Sequence, residues 1–256
     1  MIKNTSDILY MDNREIVNII HSSKYYGYRL GDIVLNYPCS RGEHIRNCYL
    51  PQKTKFPDSL AIKYTEQYKG KKSMGLKIGD HENIDDNIEI LMNLCDSIVI
   101  NDPPQDDTLV VTIRLGDMIE ENQERRNGYE LAIQGGTFWS QNGGARHILS
   151  AQEIINELKK HHLNKIILLG GAHGTRNISV QYLKSMMQIM NKEGFACTWN
   201  YNPSPDYDLA FISRARHILP GPGGFSLVAR AISNMRFNKQ EKILPVDGGI
   251  NFFGLK

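Results

Sequence analysis

Val110-Val111-Thr112-Ile113-Arg114-Leu115-Gly116-Asp117 decides how this chain is read. Residues 108–113 are β-branched and apolar, the composition of a strand covered on both faces. Arg114 and Asp117 then stand at its carboxyl end, with Gly116 between them. In open α/β sheets ligands bind outside the carboxyl ends of strands. A fixed cation at that point suits a phosphate, and a structural Arg–Asp pair closing the turn is the plainer alternative.

Downstream of this stretch the pattern repeats. Residues 150–161 read as a helix opened by a capping box, with Ser150 three residues before Glu153. Residues 165–169 read as a strand that ends in Gly170-Gly171-Ala172-His173-Gly174. A helix over 177–192 and a strand over 195–199 follow. Next come a short helix over 206–214, a strand over 217–219, and the loop Pro220-Gly221-Pro222-Gly223-Gly224. A helix over 225–235, with Leu227, Ala231 and Ile232 on its core side, and a strand over 242–246 complete the series. This alternation predicts a doubly wound parallel sheet. Its strand-end turns carry Arg114, Gly170 to Gly174, Asp206 to Asp208 and Gly221 to Ser226, which such a fold brings to one crevice. The stretch 118–144, with Glu120, Glu121, Glu124 and two Gly-Gly pairs, reads as one long irregular loop, a length that usually signals function or mobility.

Upstream, residues 13–22 have helical spacing, with Ile16, Ile19 and Ile20 on one side and Asp12 as N-cap. Gly27 and Gly31, followed by Asp32 and an apolar run, suggest a tight turn near a ligand. Residues 38–55 read as a polar loop holding three potential donors, Arg41, His44 and Arg46. Residues 60–64 and 97–100 read as short strands, and residues 85–95 as a helix with Ile88, Leu91, Met92 and Cys95 on one stripe. The stretch 101–107 has two prolines, three acids and no apolar residue, so the domain boundary is placed there. The expected domains are 1–104 and 105–256.

Bulk composition narrows the function classes. The 256 residues allow one large domain or two small ones. Lys plus Arg is 30 against 28 for Asp plus Glu, a net charge of +2 that argues against a broad nucleic-acid footprint. The cysteines, Cys39, Cys48, Cys95 and Cys197, form no CxxC pair, so neither a zinc site nor a disulfide scaffold is expected. No run approaches the ~20 apolar residues of a membrane span, and no signal core opens the chain. The expectation is a cytoplasmic protein, or one working at the cytosolic face of a compartment, its oligomeric state open.

Three motifs in order carry a family resemblance. Thr112-Ile113-Arg114-Leu115-Gly116-Asp117 is similar to the His-x-Arg-x-Gly-Asp motif of fucosyltransferase-like glycosyltransferases. The run from Asp208 to Leu219, Asp-Leu-Ala-Phe-Ile-Ser-Arg-Ala-Arg-His-Ile-Leu, resembles their Asp-Leu-x-Leu-Met-Ser-x-Cys-Lys-His-x-Ile stretch. Gly223-Gly224-Phe225-Ser226 stands where the family has Ser-Ser-Phe-Ser. The match covers roughly residues 108–246, and the first hundred residues match only loosely.

The resemblance implies a GT-B-like α/β fold, two Rossmann-type domains facing across a cleft, with the acceptor side in 1–104 and the donor side in 105–256. It implies an inverting, metal-independent transfer of a sugar, fucose first, from a nucleoside diphosphate, GDP first, to a glycan hydroxyl. No cofactor beyond this co-substrate is implied. Arg114 would contact the donor diphosphate. A guanidinium is always charged and binds phosphate bidentately, stabilising the charge that develops on the leaving group. Asp117 would orient Arg114. Asp208, Gly223, Gly224, Phe225, Ser226, Gly171 and His173 would complete the donor pocket. Glu120, Glu121 and Asp32 are the candidates for a general base, and Gly31, Arg41 and His44 belong to the acceptor side. Three departures bear on the donor. Thr112 replaces the family's His, Gly170 to His173 replaces an acidic turn, and Gly223-Gly224 replaces a Ser pair. They leave open the sugar, a pyruvyl- or heptosyl-type transfer, and a carbohydrate- or nucleotide-binding protein without catalysis.

Overall fold

The structure, a computed structural model, describes residues 2–22, 34, 50–67, 84–120, 126–139, 145–170, 174–202, 204–221 and 223–238. The chain begins with strand β1 (Ile2–Asn4) and helices α1 (Thr5–Tyr10) and α2 (Asn13–His21). Helices α3 (Leu50–Lys55), α4 (Leu60–Gln67) and α5 (Ile84–Asp96) come next. Strand β2 (Thr108–Thr112) leads into α6 (Asp117–Glu120), α7 (Gly128–Gln134) and the hairpin of β3 (Gly136–Trp139) with β4 (Ala145–Ile148). The series continues with α8 (Ala151–Lys160), β5 (Lys165–Leu169), α9 (Asn177–Lys192) and β6 (Ala196–Asn200). Helix α10 (Pro205–Ile212), strand β7 (His217–Leu219) and helix α11 (Gly224–Arg236) complete the described chain.

The sheet has the order β1-β6-β5-β2-β7. Strands β6, β5, β2 and β7 are parallel, and β1 pairs antiparallel with β6 at the edge. From β2 the chain steps outward to β5 and β6, then returns to the opposite side of β2 as β7. This reversal is compatible with a Rossmann-like fold, and ligand crevices in such sheets open at the carboxyl ends of the strands that flank it. The five residues of β2 are all buried, which explains their unbroken β-branched and apolar run.

The chain divides into two compact units. The first comprises Met1–Gly27, Pro104–Pro203 and Ala215–Pro222, and contains both sheets. Its core joins Leu109 and Val111 of β2 to Ile166 and Leu168 of β5, Cys197 and Trp199 of β6, and the buried faces of α8 and α9. Helix α8 opens on the capping box of Ser150 and Glu153, and α2 on Asp12, whose side chain accepts from the Arg14 N–H at 2.7 Å. Both α8 and α9 end in a Schellman turn, with Leu163 N–H donating to Leu158 O (2.9 Å) and Phe195 N–H to Met190 O (3.0 Å). The left-handed residue is Gly194 in one and His162 in the other. Asp106 and Asp107, in the stretch read as a linker, pair with Arg216 and Lys165 where β7 and β5 begin.

The second unit comprises Tyr28–Pro103, Ser204–Arg214 and Gly223–Lys256, and its described residues include α3, α4, α5, α10 and α11. Arg214 donates to the carbonyls of Cys95 and Ile98 beyond the end of α5 and to Ala210 O (2.9 Å) in α10. Arg236 ties Ser213 O to Asp96. Cations here satisfy carbonyls at helix carboxyl ends, as the macrodipole favours.

Several expectations are corrected. Residues 60–64 are not a strand but the start of α4, whose first N–H is capped by a distant acid: Leu60 N–H donates to Asp206 Oδ2 at 2.9 Å. Residues 97–100 form a turn after α5, with Ile98 N–H donating to Cys95 O and Val99 78% exposed. A buried strand there would need a ladder partner, and none forms. Residues 50–55, read as loop, are α3. The stretch 118–144 holds α6, α7 and a hairpin; the capping box of Asn127 and Glu130 that starts α7 is the signal that was overlooked. Strand β1 and helix α1 were not foreseen. The compact units are discontinuous in sequence, unlike the continuous 1–104 and 105–256 that were expected. The strand expected over 242–246 lies outside the described residues.

Candidate functional site

The exit of β2 is clasped from three sides within the first unit. Ile113 N–H donates to Leu169 O at 2.8 Å, which carries the pairing with β5 one residue beyond the strand. Arg114 follows, half-buried, and Leu115 is fully buried. The chain then turns through Gly116 at φ +95°, a conformation that L side chains rarely adopt. Gly116 N–H donates to the buried Ser179 Oγ (2.9 Å), and Gly116 O accepts from the N–H groups of Ile119 and Glu120 to open α6. Glu120 returns the contact: its Oε1 accepts from the N–H groups of Arg176 and Ser179, both at 2.8 Å. Helix α9 has no side-chain cap from its own Arg176, so Glu120 supplies the acceptor that its first turn needs.

The loops after β5 and β7 come equally close. A Cβ at Gly170 would lie 2.1 Å from Ile113 O, and a Cβ at Gly221 would lie 2.1 Å from Thr112 O. Only glycine permits either approach. Gly221 N–H donates to Thr112 Oγ1 at 2.6 Å, and Trp199 Nε1 donates to Gly170 O at 3.0 Å. Thr112, the position where the resembling family carries His, therefore serves as a buried acceptor that locks the β7 loop onto the end of β2.

Arg114 borders a recess of about 10 Å³, lined also by Thr112, Ile113, Ile148, Leu149 and Tyr182. That volume holds a single water. Tyr182 is buried; its hydroxyl donates to Leu149 O at 2.7 Å, and burial pushes its pKa well above the ordinary phenol range. The recess is too small for a ligand larger than water, and Arg114 is the charged residue among those lining it.

The other expected site residues are distributed as follows. Asp117 begins α6. Glu120 is committed to the cap of α9, so its carboxylate is already engaged by two donors. Gly223 (φ +122°), Gly224, Phe225 and Ser226 open α11 in the second unit, as the sequence implied. Asp208 lies in the first turn of α10, in the same unit. Its Oδ1 is out of contact with solvent and has no hydrogen-bond partner, and burial raises its pKa well above the ordinary carboxyl value. Gly31, Asp32, Arg41, His44, Glu121, Gly171 and His173 lie outside the described residues. The sequence reading missed Ser179, Tyr182 and the contact role of Thr112. A hydroxyl two residues into a helix carried no signal that a turn 63 residues away would dock on it.

Among the described residues no three His, Cys, Asp or Glu side chains come together as metal ligands would, and no helix is long and apolar enough to cross a membrane. Comparison with known protein families, with curated proteins and with solved structures finds no match.

Proposed function

We propose that the chain is a glycosyltransferase that moves a sugar from a nucleoside diphosphate, GDP-linked and fucosyl first, to a glycan hydroxyl by inversion, within a GT-B-like pair of domains. The observation that carries this reading is the position of Arg114. It stands just beyond β2, where the strand order reverses, the place at which ligands of Rossmann-like sheets bind. The order and spacing of the three sequence motifs support the same reading. In the transfer, the acceptor oxygen forms a bond to the anomeric carbon as the bond to the diphosphate oxygen breaks. Negative charge grows on the leaving diphosphate, and a preplaced guanidinium stabilises it without reorganisation. Gly223 to Ser226, at the amino end of α11, and Asp208 are assigned to the donor as well.

A second reading, a nucleotide- or carbohydrate-binding protein without turnover, is favoured by one observation. Glu120, a candidate base, is spent on capping α9. A thermal-shift series with GDP, GDP-fucose, UDP-sugars and ADP-heptose tests both. A ligand at 100 times its dissociation constant stabilises by about 2.7 kcal/mol. The transferase reading expects one of the sugar nucleotides to raise the melting temperature and to be consumed when glycans are supplied. Stabilisation without consumption favours the binding protein, and no shift with any nucleotide overturns both the transferase and the nucleotide-binding reading.

A further inference from the structure

A hydroxyl, an imidazole and a carboxylate are aligned in the first unit, on three different elements. Thr137 of β3 and His147 of β4 are directly opposed in the hairpin. Thr137 Oγ1 lies 3.2 Å from His147 Nδ1, and His147 Nε2 lies 2.6 Å from Glu153 Oε1 in the first turn of α8. Glu153 is fixed in place by its other oxygen, which accepts from the Ser150 N–H (2.7 Å) and the Ser150 hydroxyl (2.8 Å). Burial raises the Glu153 pKa, but the hydrogen bonds from His147 and Ser150 outweigh it and hold the carboxyl below its ordinary value.

These bonds determine the direction of the chain. A carboxylate only accepts, so Nε2 of His147 carries the proton it shares with Glu153. In the tautomer with the proton on Nε2, Nδ1 is an acceptor to which the Thr137 O–H can donate. The series runs from a partly buried carboxylate, through a side chain 19% exposed, to an exposed hydroxyl that a reagent can reach. Glu153 also closes the capping box of α8, and its remaining oxygen faces the ring; this order of hydroxyl, imidazole and carboxylate is the one that activates a hydroxyl.

We propose that Thr137 is a nucleophilic hydroxyl that accepts an acyl group from an activated carboxylic ester, with His147 as its base and Glu153 as the positioning residue. Thr137 Oγ1 forms a bond to the carbonyl carbon, and the bond from that carbon to the ester's alcohol oxygen breaks. The hydroxyl proton passes to His147 Nδ1 and then to the departing alcohol oxygen. Nothing is oxidised or reduced, and Glu153 stays ionised throughout. The step is independent of the glycosyl-transfer reading, since it uses neither Arg114 nor a nucleotide.

The probe is p-nitrophenyl acetate with the full chain, following nitrophenol release and locating acetyl groups by peptide mass. Acetylation of Thr137 is expected in the wild-type chain. His147→Gln should slow it about 100-fold, the contribution typical of a positioned base. Glu153→Gln should slow it to a smaller extent. Thr137→Val, an exposed isosteric change that leaves the fold intact, should abolish the modification at that peptide, and Thr137→Ser should retain it. Absence of acetyl from Thr137 in the folded wild-type chain overturns the proposal. So does an unchanged rate at Thr137 in a His147→Gln chain that melts like the wild type. Should that variant not fold, the wild-type, Thr137→Val and Thr137→Ser chains still decide the matter.

Discussion

At the scale of single residues, the contacts that shape the β2 exit are tighter than the motif alone conveys. Gly170 meets the carbonyl of Ile113, one residue beyond β2, and Gly221 that of Thr112, in each case where a Cβ would stand. Gly221→Ala should therefore cost roughly 2–4 kcal/mol, comparable to other changes that force packed groups apart; a denaturant midpoint within error of the wild type would contradict this contact. Thr112→Val, which strips the acceptor from the Gly221 N–H, should cost about 1–3 kcal/mol. Asp208 makes a different prediction, because its folded pKa lies above the unfolded value. The folded chain then holds a proton that the unfolded chain releases, so stability falls as pH rises from the ordinary carboxyl range through the folded pKa. Asp208→Asn should remove that slope and leave the chain more stable at neutral pH. Parallel pH–stability curves for the two chains would contradict the assignment.

Elements show where sequence reading succeeds and where it stops. Helices α2 and α8 were legible because cap, apolar period and length agree, α9 from its apolar spacing and length, and strands β2, β5 and β7 as short apolar runs ahead of turn residues. Residues 60–64 failed because Leu-Ala-Ile-Lys-Tyr is too short for its period to be read, and the acid that caps the helix, Asp206, lies 146 residues away. Residues 97–100 failed because apolar composition does not supply a ladder partner. Glu120 was read by its chemistry as a base and is placed by its neighbours as a cap. Glu120→Ala should destabilise by about 1–2 kcal/mol, like loss of an N-cap. His162, left-handed at φ +55° in the turn after α8, predicts the opposite sign. His162→Gly should stabilise by about 1 kcal/mol, since glycine takes that conformation without the Cβ penalty. A lower melting temperature in that variant would contradict the strain.

For the whole molecule, the parallel pairing of β6, β5, β2 and β7 was foreseeable from the alternation of strands and helices, though not their order, and the antiparallel β1 was not, because three residues carry no period. Arg114 at the carboxyl end of β2 and the helix start at Gly224 were each legible as local features, a strand end and a helix start. The candidate site was not legible in Thr112, Ser179 or Tyr182, whose roles arise only from packing. The end of β2 and the loops after β5 and β7 converge without reference to the motif resemblance, so the anion role proposed for Arg114 can be tested apart from any sugar. The direct measurement is calorimetric titration of GDP into the wild-type chain and into Arg114→Ala, with the melting temperature of each recorded without ligand. The account predicts that GDP binds the wild type and that the variant, melting at the same temperature, binds it at least about tenfold more weakly, the loss of one charge-assisted phosphate contact. Equal affinity in the two chains, or no binding to either, would contradict it.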